Sequence, residues 1–313
     1  MVLTAHQRPD CDCLGSELAL AEALEALGKE VRIVNPDAVP EHLNFLGPVD
    51  RVAVIERDVA AAELADYDTL IVLDTGAWSQ LGAMGDVVRQ IRPRTLVIDH
   101  HVSGDDLGAA KFHDPQAEAT GRLVFDLLTH LGIQLTKSMA GALFAAVATD
   151  TGWFRFNATT DITYRCAAEL VAAGASPPAI YNQLFEQQAL ARLHLAGRIL
   201  AGAQTELDGR LIYASVTRED FDETGASDAD TEEVINRTLE VAGTEVALLF
   251  VALRSGETKV SLRSRSRVDC SQIAGKLGGG GHRAASGARS SRPLDDFREA
   301  VLQLTREAIL AAQ

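Results

Sequence analysis

Short apolar runs alternate with helical patterns through the first 155 residues of the chain. Between the first two runs, LGSELALAEALEALG has apolar positions at helical spacing and ends at Gly28, a common residue at helix C-termini. Strands that alternate with helices in this way predict a mostly parallel sheet with helices on both faces. The strand-like runs are VLTAH, VRIVN, RVAVIE, TLIVLD and TLVIDHH.

The pattern changes toward the C-terminus. Helical patterns continue from about Thr120 to PAIYNQLFEQQ, and ALARLHLAGRILAGAQ predicts one further helix. From about residue 205, RLIYASVT, TEVALLFVAL and TKVSLRS are strand-like, and LDDFREAVLQLTREAILAA predicts a final helix. We therefore expect an α/β domain over residues 1–186, a linker helix over 187–204 and a smaller α+β domain over 205–313, with the active site in the cleft between the two domains.

Composition narrows the class of protein. The chain has 313 residues, of which 47% are hydrophobic and 23% charged, which fits a folded globular protein and argues against disorder or a disulfide scaffold. The apolar runs are too short to span a membrane, and a working motif that begins at His6 leaves no room for a signal peptide, so we expect a cytoplasmic location. The four cysteines lack zinc-site spacing and are expected to be reduced.

The net charge limits the partners. The chain has 29 Lys and Arg against 44 Asp and Glu, a formal charge of −15, which would repel a long polyphosphate backbone. We therefore expect no long duplex nucleic acid and no membrane among the partners. Any nucleic-acid substrate should be short.

Acidic residues follow three of the predicted strands. Because the carboxyl ends of parallel strands share one edge, where ligands bind, these side chains are expected to meet there. Side chains two positions apart in an extended segment point the same way, so we expect Asp10 and Asp12 to face a common point while Cys11 and Cys13 face away and pack behind it. The residues at the strand ends are His6, Asp10, Asp12, Asp74, Asp99, His100 and His101.

Gathered carboxylates repel one another unless a cation neutralises them. Asp10, Asp12, Asp74 and Asp150, in AVATDTGWF, carry four negative charges that two divalent ions would balance. His6 and His100 would add two imidazole nitrogens, and this donor set suits Mn²⁺ best, with Mg²⁺ or Co²⁺ as alternatives. Two such ions can activate a water and stabilise the leaving oxygen of a phosphoryl group.

A structural role is the alternative for some of these acids. Asp10 and Asp12 lie just before a predicted helix, where Asp is a favoured N-cap. Asp150 could be a helix-end acid that hydrogen-bonds the Thr149 or Thr151 region. Three separate strand ends that terminate in Asp, two of them with His nearby, are hard to explain by capping alone.

A second cluster lies near the C-terminus, in KVSLRSRSR and GGGGHRAASG. Arg263 falls within a strand pattern and is a better anion ligand than Arg265 or Arg267, for which a solvated loop is the simpler interpretation. Successive glycines allow backbone N–H groups to approach an anion, although such runs are more often flexible turns. His282 could hydrogen-bond a phosphate or stack on a base.

Together these motifs resemble the DHH phosphoesterases, in particular the two-domain branch of small oligoribonucleases and phosphoadenosine-phosphate phosphatases. HQRPDCDCLGS, LDTG, DHH and TDTGWFRF are similar to the four motifs of the catalytic domain, and KVSLRS with GGGGHRAASG is similar to the DHH-associated C-terminal domain. Where relatives usually have glycine and a small residue, this chain has Cys11 and Cys13.

The resemblance implies roles for these residues. One metal would be held by His6, Asp10 and Asp74, and the other by Asp12, Asp74, His100 and Asp150, so that Asp74 bridges the two. Asp99 would orient a neighbouring histidine, and His101 would contact the scissile phosphate or protonate the leaving oxygen. The residues implied to bind the terminal phosphate and base are Arg263, Ser264, Gly279, Gly280, Gly281 and His282.

The function implied is metal-dependent hydrolysis of short oligoribonucleotides or linear dinucleotides, such as 5′-phosphorylated diadenylate, to mononucleotides. Removal of the 3′-phosphate of phosphoadenosine phosphate is a second expected activity, and a homodimer is plausible by resemblance. Two alternatives stay open at this point: a cyclic dinucleotide phosphodiesterase and a nucleotide-binding sensor that has lost the chemistry.

Overall fold

A computed structural model describes residues 1–90, 94–231 and 234–312 of the chain. The chain divides into two compact units, Met1–Gln187 and Gln188–Gln313. The domain limits given above stay a prediction. Among the described residues, no helix is both long enough and apolar enough to cross a membrane.

The first unit contains a six-stranded sheet in which every neighbouring pair is parallel. Its strand order is β3-β2-β1-β4-β5-β6. The sixth strand was missed from the sequence because AKFH is an exposed edge strand without an apolar run. The strands are β1 (Val2–Thr4), β2 (Arg32–Asn35), β3 (Val52–Val54), β4 (Leu70–Leu73), β5 (Thr95–Asp99) and β6 (Ala110–His113).

Helices cover both faces of this sheet, as predicted. Successive strand residues alternate between faces, so Leu3 joins a core with the first, third and fourth helices, whereas Val2 joins a core with Met84 and Val88 of the second. The helices are α1 (Cys11–Ala26), α2 (Met84–Gln90), α3 (Thr120–His130), α4 (Lys137–Asp150), α5 (Asp161–Ala172) and α6 (Pro177–Phe185).

The second unit begins with α7 (Leu190–Ala201), the helix predicted to be a linker. Its Leu195 and Ile199 are buried in a core with strands of this unit. The mixed sheet that follows has the order β11-β12-β10-β9-β8-β7, with β8 and β9 parallel and the other pairs antiparallel. Its strands are β7 (Gln204–Glu206), β8 (Leu211–Val216), β9 (Val246–Ala252), β10 (Thr258–Ser264), β11 (Gly280–Gly281) and β12 (Ala285–Ser290).

The described residues of the second unit form four more α-helices: α8 (Arg218–Thr224), α9 (Val234–Thr238), α10 (Cys270–Lys276) and α11 (Leu294–Ala311). Phe297, Val301 and Ile309 of α11 are buried against one face of the sheet. The α/β fold with a second α+β sheet is therefore confirmed. Strand β12 was not anticipated, because ASGARS lies within the glycine-rich cluster and lacks a large apolar residue.

Candidate metal centre

Three adjacent strands of the parallel sheet deliver the site residues. Strands β1, β4 and β5 are neighbours, and each is followed at its carboxyl end by acidic or histidine side chains. The shared edge predicted from the sequence therefore brings His6, Asp74 and His100 together, with Asp150 arriving from the end of α4.

Asp74 lies at the centre of the site. Its Oδ2 is 3.3 Å from His6 Nε2, and its Oδ1 is 3.6 Å from His100 Nε2. The residue is buried, and its backbone has a φ of 60°, a left-handed conformation that Asp tolerates better than most residues but that still costs about 1 kcal/mol. Its two oxygens thus face different histidines, as a bridging carboxylate must.

The segment that carries Asp10 and Asp12 corrects one expectation. It is the start of α1 and is not extended, because Asp10 is the N-cap and its Oδ1 accepts from the N–H groups of Asp12, at 3.0 Å, and Cys13, at 3.1 Å. Asp10 itself has an extended backbone but Asp12 is in the first helical turn, so the argument from a continuous extended segment does not apply to this pair. The capping interpretation of Asp10 holds, yet its Oδ2 still lies 3.8 Å from His6 Nε2.

Asp12 faces the start of a different helix. Its carboxylate accepts the N–H groups of Thr120 and Gly121 at the start of α3, both at 2.7 Å. Burial, with Asp74 and Asp150 nearby, raises its pKa well above the usual value, although the two N–H groups oppose this. Gly121 permits the approach, because a Cβ there would lie 2.6 Å from Ala146 Cβ and 3.2 Å from Asp12 Oδ1.

Thr120 is a site residue that sequence reasoning missed. Its hydroxyl donates to Asp74 Oδ1 at 2.9 Å while its N–H donates to Asp12. One residue therefore fixes two of the carboxylates. In the sequence it looks like an ordinary helix-start threonine, so only its contacts with distant residues reveal this role.

His100 presents one nitrogen to three carboxylates. Its Nδ1 lies 3.1 Å from the Ala117 carbonyl, which sets Nε2 as the free acceptor nitrogen. That Nε2 is 3.8 Å from Asp12, 3.6 Å from Asp74 and 3.4 Å from Asp150. These separations exceed hydrogen-bond lengths and suit donors arranged around an ion. Among the described residues, Asp12, His100 and Asp150 form one possible metal group, with ligand atoms within 4.8 Å of one another.

The alternative role of Asp150 is not supported by its neighbours. The hydroxyls of Thr149 and Thr151 both donate to backbone carbonyls of α4, at 2.8 Å and 2.7 Å, and not to Asp150. Burial raises the pKa of Asp150 to about 6, with the charge of His100 acting in the opposite direction. The Asp150 carboxylate therefore lies near other acids and accepts no hydrogen bond from the Thr149 or Thr151 hydroxyl.

His101 is paired with Asp99 at the rim of the site. Asp99 Oδ1 is 2.8 Å from His101 Nδ1 and also accepts the His101 N–H at 3.1 Å. Although burial would raise the pKa of Asp99, these two bonds hold it below its usual value, and the same pairing raises the pKa of His101. The His101 side chain is 52% exposed, so its Nε2 is available to a substrate.

Excess negative charge also acts on His6. Burial would lower its pKa, but the bond to Asp74, the Gln7 carbonyl and the charge of Asp10 together raise it to about 9. The raised pKa reflects the gathered negative charge around His6, which a bound divalent cation would offset. The imidazoles and carboxylates of the site therefore fit a divalent cation in the way that their donor types predict.

Cys11 and Cys13 are buried on the first turn of α1. Cys13 Sγ accepts the Asp10 N–H at 3.3 Å, and its sulfur belongs to a possible metal group with His6 and Asp10. Burial raises the pKa of the Cys11 thiol to about 12 and that of Cys13 well above its usual value. Both thiols are buried, as expected for packing, but the Cys13 sulfur lies beside His6 and Asp10 and does not face away from the site.

In the second unit, the predicted substrate-binding residues lie along β10 and the turn before β12. Arg263 pairs across the sheet with Ala285, and Ser264 N–H donates to the Ala284 carbonyl at 2.9 Å. By contrast, Arg265 donates to the carbonyls of Thr244 and Val241, both at 2.7 Å, and so ties a loop to the sheet.

The backbone of the glycine run is used differently from the anion binding predicted from the sequence. The N–H groups of Gly278 and Gly279 donate to the carbonyls of Gly275 and Ala274 at the end of α10, so they are used within the fold. Gly280 and Gly281 form β11 and pair with Gly287 and Ser286. His282 N–H and carbonyl close a tight turn with Ala285, which leaves the His282 side chain exposed.

Comparison with known proteins agrees with these features. The DHH family N-terminal domain matches residues 1–147, and the DHHA1 domain matches residues 208–308. The bifunctional oligoribonuclease and PAP phosphatase NrnA of Thermus thermophilus is 32% identical over 312 residues, 99% of this chain and 90% of that protein. The chain belongs to the DHH family. The family resemblance read from its motifs is thereby confirmed.

Two further proteins are similar over most of the chain. A probable bifunctional oligoribonuclease and PAP phosphatase NrnA of Streptococcus mutans is 26% identical over 93% of this chain and 89% of that protein. The crystal structure of an exopolyphosphatase-related protein from Bacteroides fragilis has a TM-score of 0.88 and 26% identity, and the match covers 100% of this chain and 93% of that one. The similarity therefore spans both units.

Proposed function

We propose that this DHH protein is a metal-dependent phosphoesterase that hydrolyses short oligoribonucleotides and linear dinucleotides to mononucleotides and removes the 3′-phosphate of phosphoadenosine phosphate. The observation that carries the proposal is Asp74, whose two oxygens face His6 and His100 within a ring of carboxylates. The relatives named for oligoribonuclease and PAP phosphatase activity support the same substrate classes.

The proposed ligand sets are supported by the side chains that face each other. His6, Asp10 and Asp74 would hold one ion, and Asp12, His100 and Asp150 would hold the other, with Asp74 shared between them. Mn²⁺ suits these oxygen and imidazole donors best, with Mg²⁺ or Co²⁺ as alternatives. When bound, two such ions activate water and offset the charge on phosphoryl oxygens.

His101 acts on the leaving group. Asp99 holds its Nδ1, so a proton on the exposed Nε2 can be donated to the departing oxygen of the scissile phosphate. Because the same pairing raises the pKa of His101, the ring keeps this proton more readily at neutral pH. Asp99 is thus a positioning residue, and His101 is the general acid.

The second unit contributes recognition. Arg263 and Ser264 bind the terminal phosphate, Gly280 and Gly281 allow the substrate to approach the backbone, and His282 contacts the base. Gly279, beside them, lets the backbone pack closely against Gly287 and Ala288. The net charge of −15 favours short substrates over long strands. We place the protein in the cytoplasm, where its four cysteines would stay reduced.

The first experiment compares substrates on chelator-stripped protein with and without Mn²⁺. We expect release of AMP from 5′-phosphorylated diadenylate and of phosphate from phosphoadenosine phosphate, in each case only with metal, and loss of both activities in Asp74→Asn. Turnover of a cyclic diadenylate in preference to both would favour the cyclic dinucleotide alternative. Tight nucleotide binding without any turnover would contradict the proposal and favour the sensor.

A further inference from the structure

A buried acid lies behind the metal centre, on the side of α1 that faces the sheet. Glu17 is 0% exposed, and its Oε1 has no hydrogen-bond partner among the described residues. Burial raises its pKa to about 8 even though Asn35 opposes the shift. Such a group is costly to bury, so its position in an apolar helix face requires an explanation.

The other carboxylate oxygen of Glu17 accepts a hydrogen bond from Asn35. Oε2 accepts from Asn35 Nδ2 at 2.8 Å, and Asn35 Oδ1 accepts the N–H of Ala5 at 3.0 Å. Because an amide has one acceptor end and one donor end, the acceptor on Glu17 determines which end of Asn35 faces Ala5. Without it, Asn35 could turn its NH₂ group toward another acceptor, and its Oδ1 would no longer face the Ala5 N–H.

The hydrogen bond from the Ala5 N–H to Asn35 lies just beyond the last backbone pair between β1 and β2. The pairing of β1 with β2 runs from Val2 to Leu3, and Ala5 lies beyond it, immediately before His6. The Asn35 side chain therefore takes the place of a further strand bond at this point. On the other side of Ala5, His6 Nδ1 contacts the Gln7 carbonyl, so the backbone at both neighbours determines where Nε2 points.

We infer that Glu17 and Asn35 are positioning residues that hold the backbone before His6, so that His6 Nε2 stays directed at Asp74. This inference rests on the proposed function, because His6 matters here as a ligand. Partners of metal-binding histidines commonly change metal affinity by about 10- to 100-fold when they are removed. Here the effect would pass through the backbone.

The test measures Mn²⁺ binding by calorimetry and by electron paramagnetic resonance, alongside kcat. We expect wild-type protein to bind two ions per chain and Glu17→Leu to bind one of them about 10-fold more weakly or worse. Glu17→Gln keeps an acceptor for Asn35 and should restore affinity to within a few-fold of wild type. Leu20→Ala, at another buried position of α1, should lower thermal stability but leave both affinities unchanged.

A double variant separates positioning from folding. Glu17→Leu with Asn35→Leu replaces both polar partners by apolar groups, so we expect stability to recover relative to Glu17→Leu while the weak Mn²⁺ site stays weak. A folded double variant with two wild-type affinities would overturn the inference, and so would equal affinities in Glu17→Leu and wild type. Wild-type protein that binds no Mn²⁺ and hydrolyses nothing would overturn the proposed function itself.

Discussion

The metal centre of the first unit and the arginine and glycine cluster of the second are built in opposite ways. Asp12 and Asp74 are each 2% exposed and accept hydrogen bonds from Thr120 or its neighbour. In the second cluster, Arg263 is half-buried and donates to the carbonyl of Leu262, while His282 is exposed. The first arrangement therefore holds its side chains in fixed positions, whereas the side chains of the second are less constrained.

The charges of the two regions differ as well. The acids around Asp74 have no cationic side chain other than histidine among their described ion-pair partners. In the second unit, acids such as Glu206 and Glu245 pair with Arg306 and Arg210, which lower their pKa values. The carboxylates of the metal centre are thus gathered without Lys or Arg partners among the described ion pairs, whereas these acids of the second unit are each paired with an arginine.

The largest expected effect is on kcat, and it distinguishes His101 of the metal centre from His282 of the second cluster. Replacing His101 by Ala removes the proposed proton donor, so kcat on 5′-phosphorylated diadenylate should fall about 100-fold or more while Mn²⁺ affinity is kept. His282→Ala should instead raise KM and change kcat little. Steady-state kinetics on both variants measure this, and equal losses of kcat would contradict the division of roles.

Two arginines on and after β10 offer a matched pair. Arg263→Ala should raise KM about 10-fold, because a charge-assisted bond to phosphate is lost. Arg265→Ala should leave KM unchanged and lower the melting temperature, since Arg265 is bonded to two backbone carbonyls. Kinetics and thermal unfolding together test the pair. A KM effect confined to Arg265→Ala would reverse the assignment.

The stability of metal-free protein should fall as pH rises. The folded-state pKa of Glu17 is raised from 4.5 to about 8, and that of Asp150 from 3.8 to about 6. The stability that each protonated group contributes is fully present below its unfolded-state pKa and is lost as the pH rises through its folded-state pKa. His6, raised from 6.5 to about 9, acts in the same direction. We expect the melting temperature of the first unit to drop by about 5 °C or more between pH 5 and pH 9.

Scanning fluorimetry with and without Mn²⁺ measures this drop. Added Mn²⁺ should recover more stability at pH 8 than at pH 5, because the ligands must be deprotonated to bind it. Glu17→Gln should make the metal-free pH dependence shallower. A profile that is flat, or that rises with pH, would show that the gathered charges of the metal centre do not govern stability.

The smallest effect concerns the glycine run. A Cβ on Gly280 would meet nothing within 4 Å, whereas a Cβ on Gly279 would lie 2.2 Å from the Gly287 carbonyl oxygen. Gly280→Ala should therefore keep the fold and raise KM only a few-fold, by hindering the approach of substrate to the backbone. Gly279→Ala should destabilise the second unit. An unchanged KM in Gly280→Ala would remove this glycine from the proposed binding surface.

Much of the fold was readable because its signals are local. The apolar runs marked five of the strands in the parallel sheet, and helical spacing marked α1, whose first turn was placed too late. Strand β6 and strand β12 escaped because exposed or small residues pair there through their backbones. Backbone pairing leaves little trace in the side-chain pattern when a strand carries no run of large apolar residues.

The sequence by itself determined which residue types gather, since an acid at the end of each of three parallel strands must reach the same edge of the sheet. Only the tertiary structure decided their partners. Asp12 receives the N–H of Thr120 across 108 residues, and Glu17 reaches Asn35 across 18. Contacts of this kind depend on how separate helices and strands pack, and short-range periodicity carries no information about packing between distant segments.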